Sequence, residues 1–223
     1  MFTGFTEETY AFFWDLAFHN SREFMEANRA RYRENVYLPL VALTEEILPA
    51  ALELDPRFNA RPQSCVSRIN RDTRYSKDKS PYRDHAWIAF RMPGTYLSDN
   101  FCLYAEINRD SYGYGVGMYG PNPPMMAAFR ERMLAHPEEF LRLAERKALT
   151  DVFRLDGEEY RKIRFPHVDS RLEPYLNRKN LGFCFSSTDL KRTFVPELAD
   201  EIRSGFELLR PVYRFLMGLQ PTE

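Results

Sequence analysis

The stretch FCLYAEINRDSYGYGVGMY, residues 101–119, decides the fold class. It contains two runs rich in aromatic and aliphatic residues, 101–107 and 112–119, on either side of the turn residues Asn108-Arg109-Asp110. Such runs are typical of β-strands, and a connection this short favours an antiparallel pair. The sequence therefore predicts two neighbouring antiparallel strands within a sheet.

The second of these strands carries three alternating glycines, Gly113, Gly115 and Gly117, which fall on one face. Glycine weakens a strand, so three in alternation indicate that something approaches that backbone closely. The favoured interpretation is a helix packed tightly against the sheet. The alternative is the floor of a ligand groove, with Tyr112 and Tyr114 on the opposite face.

The segments on either side show helical periodicity as well as further strand-like runs. The other predicted strands are 64–70, 86–91, 152–155 and 183–186. The predicted helices are 6–18, 22–35, one that begins around Pro39 and is kinked at Pro49, 125–136, 137–147 and one that begins near Pro196. This pattern predicts an α+β fold in which N-terminal, middle and C-terminal helices pack on a central antiparallel sheet of about four to six strands. We expect one domain over 1–223, with a helical part (5–54), a sheet-rich part (62–120) and a part of helices and short strands (122–218).

Composition limits the classes of partner. The formal net charge is −1 and the pI is near 6.5, so no global field attracts the protein to nucleic acid or to an acidic membrane. The most apolar window, Ala11–Phe18, is far shorter than the ~20 residues of a membrane-spanning helix. The odd set Cys65, Cys102 and Cys184 contains no CxxC pair and predicts buried free thiols, which suits a reducing compartment. We therefore expect a cytoplasmic protein that contacts no membrane and for which nucleic acid is a disfavoured partner.

The most informative functional feature is the charged segment, residues 68–85. It holds six basic and three acidic residues and sums to +3, whereas the rest of the chain sums to −4. Arginine forks bind carboxylate or phosphate oxygens in pairs, and lysine adds a mobile charge. The candidate ligand-binding residues are Arg68, Arg71, Arg74, Lys77 and Lys79. The candidate proton-handling residues are Asp72, Asp78, Tyr82 and His85.

Three interpretations of the charged segment stay open. It binds a small anionic, phosphate-bearing compound, either as an enzyme or as a binding protein. Alternatively, it docks an acidic protein or a nucleic acid. In the third interpretation its charges form a structural network of ion pairs between the helices and the sheet. No cofactor or oligomeric state is indicated.

Other familiar site patterns are absent from the sequence. The four histidines, His19, His85, His136 and His167, lack metal-ligand spacing, so we expect no metal site, although Asp72 or Asp78 is a carboxylate that a metal could use. No GxSxG elbow or phosphate loop occurs. Outside the charged segment, Asn28 shares a helix face with Phe24 and Tyr32 and suggests a buried hydrogen-bonding residue. Arg22, at the start of that helix, could pair with the charged segment.

The chain resembles a bacterial family of uncharacterised proteins, domain of unknown function family 2461. The motifs that carry the resemblance are Arg68-x-x-Arg71-Asp72-x-Arg74-Tyr75-x-x-Asp78-Lys79-x-x-Tyr82, Asn20-x-Arg22-Glu23-Phe24-x-x-x-Asn28-x-x-x-Tyr32, Gly117-Met118-Tyr119-x-Pro121 and Leu176-x-x-Lys179. The family typically has Phe at the position of Tyr75, and a second aromatic residue at the position of Met25. The resemblance implies that the charged segment is a site, which Arg22, Asn28, Tyr32 and Lys179 support from other elements. It implies no particular activity.

Overall fold

The computed structural model describes residues 1–74 and 77–219. Its centre is a five-stranded antiparallel sheet with strand order β1-β2-β3-β5-β4. The strands are β1 (Ala86–Phe90), β2 (Phe101–Ile107), β3 (Tyr112–Met118), β4 (Arg154–Asp156) and β5 (Gly182–Ser187). The fold also contains helices from the N-terminal, middle and C-terminal parts of the chain, so the predicted α+β class is confirmed.

The helices precede, interrupt and follow the strands. They are α1 (Glu7–Phe18), α2 (Arg22–Ala27), α3 (Arg29–Tyr32), α4 (Leu38–Leu54), α5 (Pro62–Cys65), α6 (Pro123–Ala135), α7 (Pro137–Ala144), α8 (Lys147–Thr150), α9 (Glu173–Leu176) and α10 (Leu198–Met217). A π-helical turn, Arg33–Tyr37, joins α3 to α4. Short 3-10 turns occupy Leu97–Asp99 and Leu190–Thr193.

The β2–β3 pair forms as predicted, with Phe101 opposite Met118 and Ile107 opposite Tyr112. Strand alternation sends one set of side chains to a face covered by α4 and α10. On that face Phe101 stacks on Tyr213 of α10 at a centroid distance of 5.8 Å. Aromatic residues of the sheet and of α10 therefore pack against each other in the core on this face.

The opposite face of the sheet, which we call the open face, carries side chains that stay partly exposed. Trp87 of β1 pairs with Glu106 of β2, and Tyr104 lies two residues before Glu106 on the same face. The glycines of β3 lie beside them, and the exposed Asp156 of β4 lies at the far edge. Polar groups of the sheet are therefore concentrated on the open face.

The glycines of β3 do not accommodate a helix. A Cβ atom on Gly115 would lie 2.2 Å from the carbonyl oxygen of Phe183, and one on Gly113 would lie 2.6 Å from that of Phe185. Both contacts are with the backbone of the neighbouring strand β5. The helix α10 instead packs on the tyrosine face, where Gly205 meets Tyr114. The favoured interpretation of the glycines was therefore wrong about the partner.

The predicted strand 64–70 is also wrong. Pro62 begins the short helix α5, because proline suits the first helical turn. Beyond it the chain is extended but pairs only through isolated bridges, Val66 with Ile88 and Asn70 with Tyr82. Its pairing partner in the second bridge is the returning arm of the charged segment, not a strand of the sheet.

The predicted helices 22–35 and 39–54 divide differently from the sequence pattern. The first ends at Ala27, since Asn28 leaves helical geometry with φ −111°. Helix then continues from Arg29 to Leu54 and widens into the π turn before Pro39, which has no N–H to donate to the preceding turn. Pro49 lies within α4 without ending it.

The run Arg29–Leu54 is long and apolar enough to cross a membrane by length and composition alone. Half of its most apolar window is buried inside the fold. The part that forms α4 packs on α10 and β1, with Ile47, Ala51 and Leu54 fully buried. The apolar composition of this run is thus explained by its position in the core.

Candidate functional site

The charged segment forms a loop that leaves and re-enters the fold beside β1. Its two arms are joined by backbone hydrogen bonds from Arg71 N–H to the Pro81 carbonyl (2.9 Å) and from Arg83 N–H to the Ile69 carbonyl (2.8 Å). These hydrogen bonds anchor the loop at its base. Tyr75 and its neighbour at position 76 lie outside the described residues.

A side chain from outside the loop also holds this base. The Asn20 amide donates to the Tyr82 carbonyl and accepts from the Tyr82 N–H, both at 3.0 Å. The ring of Tyr82 is buried in the core, with 9% of the residue exposed. Asn20 and Tyr82 therefore fix the loop to the helical part of the chain, and Tyr82 is placed as a packing residue.

Most charges of the loop satisfy one another. Arg71 contacts Asp78 and lies 4.0 Å from Asp84, while Arg74 forks onto Asp72 at 2.7 Å and 3.0 Å. Hydrogen bonds from the side chain and backbone of Arg74 lower the pKa of Asp72 to about 2. These ion pairs join residues of the same loop and do not link the helices to the sheet.

Asp78 is the second carboxylate among the proton-handling candidates, and its pKa is also lowered. The Ser80 backbone N–H and hydroxyl are the main cause of its lowered pKa, and Arg71 adds to them. A carboxylate with a lowered pKa is a poor proton carrier near neutrality. Lys79 donates to the Thr73 carbonyl at 2.8 Å, whereas Lys77 is exposed.

Arg68 differs from the other basic residues of the loop, because it lines a cleft of about 880 Å³. We call this the arginine cleft. Its other arginines are Arg29, Arg33 and Arg91, and Tyr32 and Tyr37 form part of its wall. Arg29 and Arg33 are one helical turn apart on the run that joins α3 to α4, which brings both guanidinium groups to the same side.

A second cleft of about 290 Å³ lies on the open face of the sheet, and we call it the sheet-face cleft. The residues that matter for its chemistry are His85, Tyr104, Glu106, Tyr119 and Asp156, with Gly117 in its lining. Burial is the main cause that raises the pKa of Glu106, and it outweighs the opposing effects of His85 and the Asn108 amide.

Of the four candidate proton-handling residues, only His85 lines one of the two clefts. Its Nδ1 lies 3.2 Å from a carboxylate oxygen of Asp84, and its ring stacks on Trp87 with a centroid distance of 5.5 Å. Asp84 is in turn 3.3 Å from Arg109. Burial would raise the pKa of Asp84, but the hydrogen bond with His85 and the charge of Arg109 lower it overall. His85 is thus oriented by an ionised carboxylate.

The four supporting residues named from the sequence lie in different places. Tyr32 lines the arginine cleft, as noted above. Asn28 donates to the Phe24 carbonyl at 2.9 Å and so completes a local turn. Arg22 is exposed at the start of α2, and Lys179 pairs with Glu158 next to β4. Neither Arg22 nor Lys179 lines the two clefts.

Sequence reasoning missed Arg29, Arg33, Arg91, Glu106 and Asp156. Two signals were present. Arg29 and Arg33 show helical spacing around Tyr32, and Glu106 is the only charged residue of the apolar strand β2. A lone carboxylate in such a strand needs a partner or a cleft. Over residues 1–74 and 77–219, no group of three or more His, Cys, Asp or Glu side chains is arranged to hold a metal ion.

The reciprocal hydrogen bonds of Asn20 lead to a stability prediction. Asn20→Ala leaves two backbone groups of Tyr82 without their partner and is expected to lower the free energy of unfolding by about 1–2 kcal/mol. Asn28→Ala is the matched control, because it removes a single hydrogen bond, to the Phe24 carbonyl at the end of α2, and should cost clearly less. Urea denaturation of both variants checks this, and equal losses would contradict the anchoring role of Asn20.

Comparison with known proteins supplies a family but no activity. The family model described as conserved hypothetical protein, DUF2461, matches residues 8–215. No curated protein matches the chain at a significant level. The family match covers the loop, both clefts and nearly all of the elements described above. The chain therefore belongs to the DUF2461 family, as its charged segment and helical motifs indicated.

Proposed function

We propose that the protein binds a small anionic compound, such as a phosphate ester, in the arginine cleft. One observation carries the proposal: of the residues that the structure describes, none forms an ion pair with Arg29, Arg33 or Arg68, and no carboxylate lines their cleft. Elsewhere in the charged segment, by contrast, Arg71 and Arg74 have carboxylate partners.

Unpaired arginines in one concave surface favour an anion for a physical reason. Like charges repel, so an anion placed among them lowers the electrostatic energy of the site. Guanidinium groups bind phosphate or carboxylate oxygens through two parallel hydrogen bonds. Arg91 already donates to the Thr95 carbonyl, which fixes its position at the wall of the cleft.

A comparison within the same molecule supports the choice of cleft. Another cleft, of about 630 Å³ between α6, α7 and α10, is also rich in arginine. There Arg132 donates to the Leu216 carbonyl at 2.7 Å, Arg210 pairs with Glu207, and Glu139 is part of the lining. Arg132 and Arg210 are thus held by a backbone carbonyl and by an acidic side chain, which makes that cleft less suited to an anion.

Calorimetric titration with pyrophosphate, phosphate and sugar phosphates tests the proposal. Arg68→Ala is expected to weaken binding of the best of these probes roughly ten- to a hundredfold, the size of a charge-assisted hydrogen bond. The double variant Arg29→Ala/Arg33→Ala should weaken it at least as much. Arg74→Ala is the control, since that side chain pairs with Asp72 outside the cleft, and should leave affinity unchanged.

Two results would overturn the proposal. One is the failure of every probe to bind the wild-type protein, and the other is equal binding by wild type and Arg68→Ala. A short DNA duplex belongs in the same series. If it binds tightly and Arg74→Ala weakens that binding, the charged segment is a docking surface instead.

We also propose that the protein acts in the cytoplasm. All three cysteines are free thiols, and burial raises the pKa of Cys65 to about 11 and of Cys102 to about 12. Thiols without disulfide partners suit a reducing compartment, and we take the cytoplasm as the place of action.

A further inference from the structure

The arginine cleft and the sheet-face cleft adjoin one another. Trp87, Ala89 and Leu97 line both of them, so the two clefts share a wall. Arg83 lies over the Trp87 ring at 5.0 Å, and His85 stacks on that ring. These contacts hold the indole in place at the junction. The two clefts therefore meet at a fixed Trp87.

The two adjoining clefts carry opposite charges. The arginine cleft is lined by four arginines and by no carboxylate of the described residues. The sheet-face cleft has the reverse character, because Glu106 and Asp156 line it and none of its described lining residues is lysine or arginine. Opposite fields in adjoining clefts match a ligand with an anionic end and a cationic end.

Among the described residues, Glu106 supplies one of the two carboxylates that line the sheet-face cleft. Glu106 is partly buried on the open face. The neighbouring groups that affect its pKa are His85, the Asn108 amide and Asp156. Of the ion pairs in the described part of the chain, none includes Glu106 or Asp156. A partly buried carboxylate without a basic partner gains from a ligand cation that supplies one.

The walls and floor of this cleft suit an ammonium group. Tyr104 and Tyr119 present aromatic rings, and the faces of such rings attract cations. The ring of Trp87 is engaged by Arg83 and His85, so the tyrosines are the available surfaces. Gly117 has no side chain, which keeps the floor of the cleft open.

We propose that the ligand is a phosphate ester that also carries a protonated amine. Its phosphate lies among Arg29, Arg33 and Arg68, and its ammonium group lies beside Glu106 and Tyr104. This inference rests on the proposed anion binding and adds the second recognition element. It names the ligand class as amino phosphates rather than anions in general.

Matched synthetic probes test the second element separately from the first. Aminoalkyl phosphates of short, medium and long chain are titrated calorimetrically, each against the alkyl phosphate of equal length. At the length that spans Trp87, the aminoalkyl phosphate is expected to bind roughly tenfold more tightly, since a charge-assisted contact has that magnitude. Arg68→Ala should weaken both members of each pair by the same factor.

Two variants locate the amine. Glu106→Gln should abolish the preference for the amine and leave the affinity for the alkyl phosphate unchanged. Asp156→Asn, on an exposed edge strand, should reduce the preference without affecting the fold, and so serves if Glu106→Gln is unstable. The inference is overturned if no chain length shows a preference, or if both variants retain it. In either case, alkyl phosphate binding that depends on Arg68 would leave the proposed function standing.

Discussion

Arg57→Ala is expected to lower the free energy of unfolding by about 3–5 kcal/mol at neutral pH, because it leaves a buried carboxylate without its cation. The carboxylate is that of Asp55, whose side chain is 0% exposed at the end of α4. Arg57 donates to it from Nε at 2.8 Å and from Nη2 at 2.7 Å. The only other side chain that donates to it among the described residues is Tyr213, at 2.6 Å.

The pH dependence of this effect has a definite sign. Burial alone would raise the pKa of Asp55, but hydrogen bonds from the side chains of Arg57 and Tyr213 and from the Arg57 N–H hold it below its usual value. In the wild-type protein the ionised carboxylate therefore contributes stability above its unfolded pKa of about 3.9, and that contribution is lost as pH falls through the lower folded pKa. In Arg57→Ala the effect of burial dominates, so protonation of Asp55 becomes favourable at a higher pH.

The difference between wild type and Arg57→Ala should consequently be largest near neutrality and shrink on acidification. Urea denaturation at a series of pH values measures it. Arg61→Ala is the control, since Arg61 is exposed close by in the chain and its side chain has no acidic partner in the described structure. A pH-independent loss of stability, or a loss below about 1 kcal/mol, would contradict this account of Asp55.

The sheet was predictable where pairing is local. The strands β2 and β3 follow one another across a short turn, so residue type and turn signals suffice to indicate them. The extended segment 66–70 has the same kind of composition, yet its partners lie in the returning arm of its own loop and in β1. Nothing in the residues before Asn70 indicates which of these partners they meet, and the predicted strand there was wrong for that reason.

The two clefts were harder to predict from the sequence than the sheet, because their residues come from distant parts of the chain. The charged segment is visible in the sequence because its charges are contiguous. The arginine cleft combines Arg68 with Arg29 and Arg33, which come from a distant helical run, and only the packing of that run beside β1 brings them together. Sequence also could not show that Arg71 and Arg74 are engaged by carboxylates of the same loop while Arg68 is not.

The alternating glycines of β3 offer a pair of identical substitutions with opposite expectations. Gly115→Ala is expected to lower the free energy of unfolding by about 2–3 kcal/mol, since overpacking against a fixed backbone has that cost. The new Cβ would lie 2.2 Å from the Phe183 carbonyl oxygen and 3.0 Å from the Cα atom of Cys184, so β3 and β5 must separate. Neither contact can be relieved by turning a side chain.

Gly117→Ala is the matched control and should leave stability unchanged or slightly higher. Its Cβ would lie 3.6 Å from the Cα atom of Gly182 and 4.0 Å from Tyr104, which are ordinary contacts, and alanine restricts the unfolded chain. The same methyl group would occupy the floor of the sheet-face cleft and should reduce the preference for an aminoalkyl phosphate. Denaturation and titration of both variants therefore distinguish two roles: Gly115 is required by strand packing, and Gly117 keeps the cleft open. Equal losses of stability in the two variants would contradict this assignment.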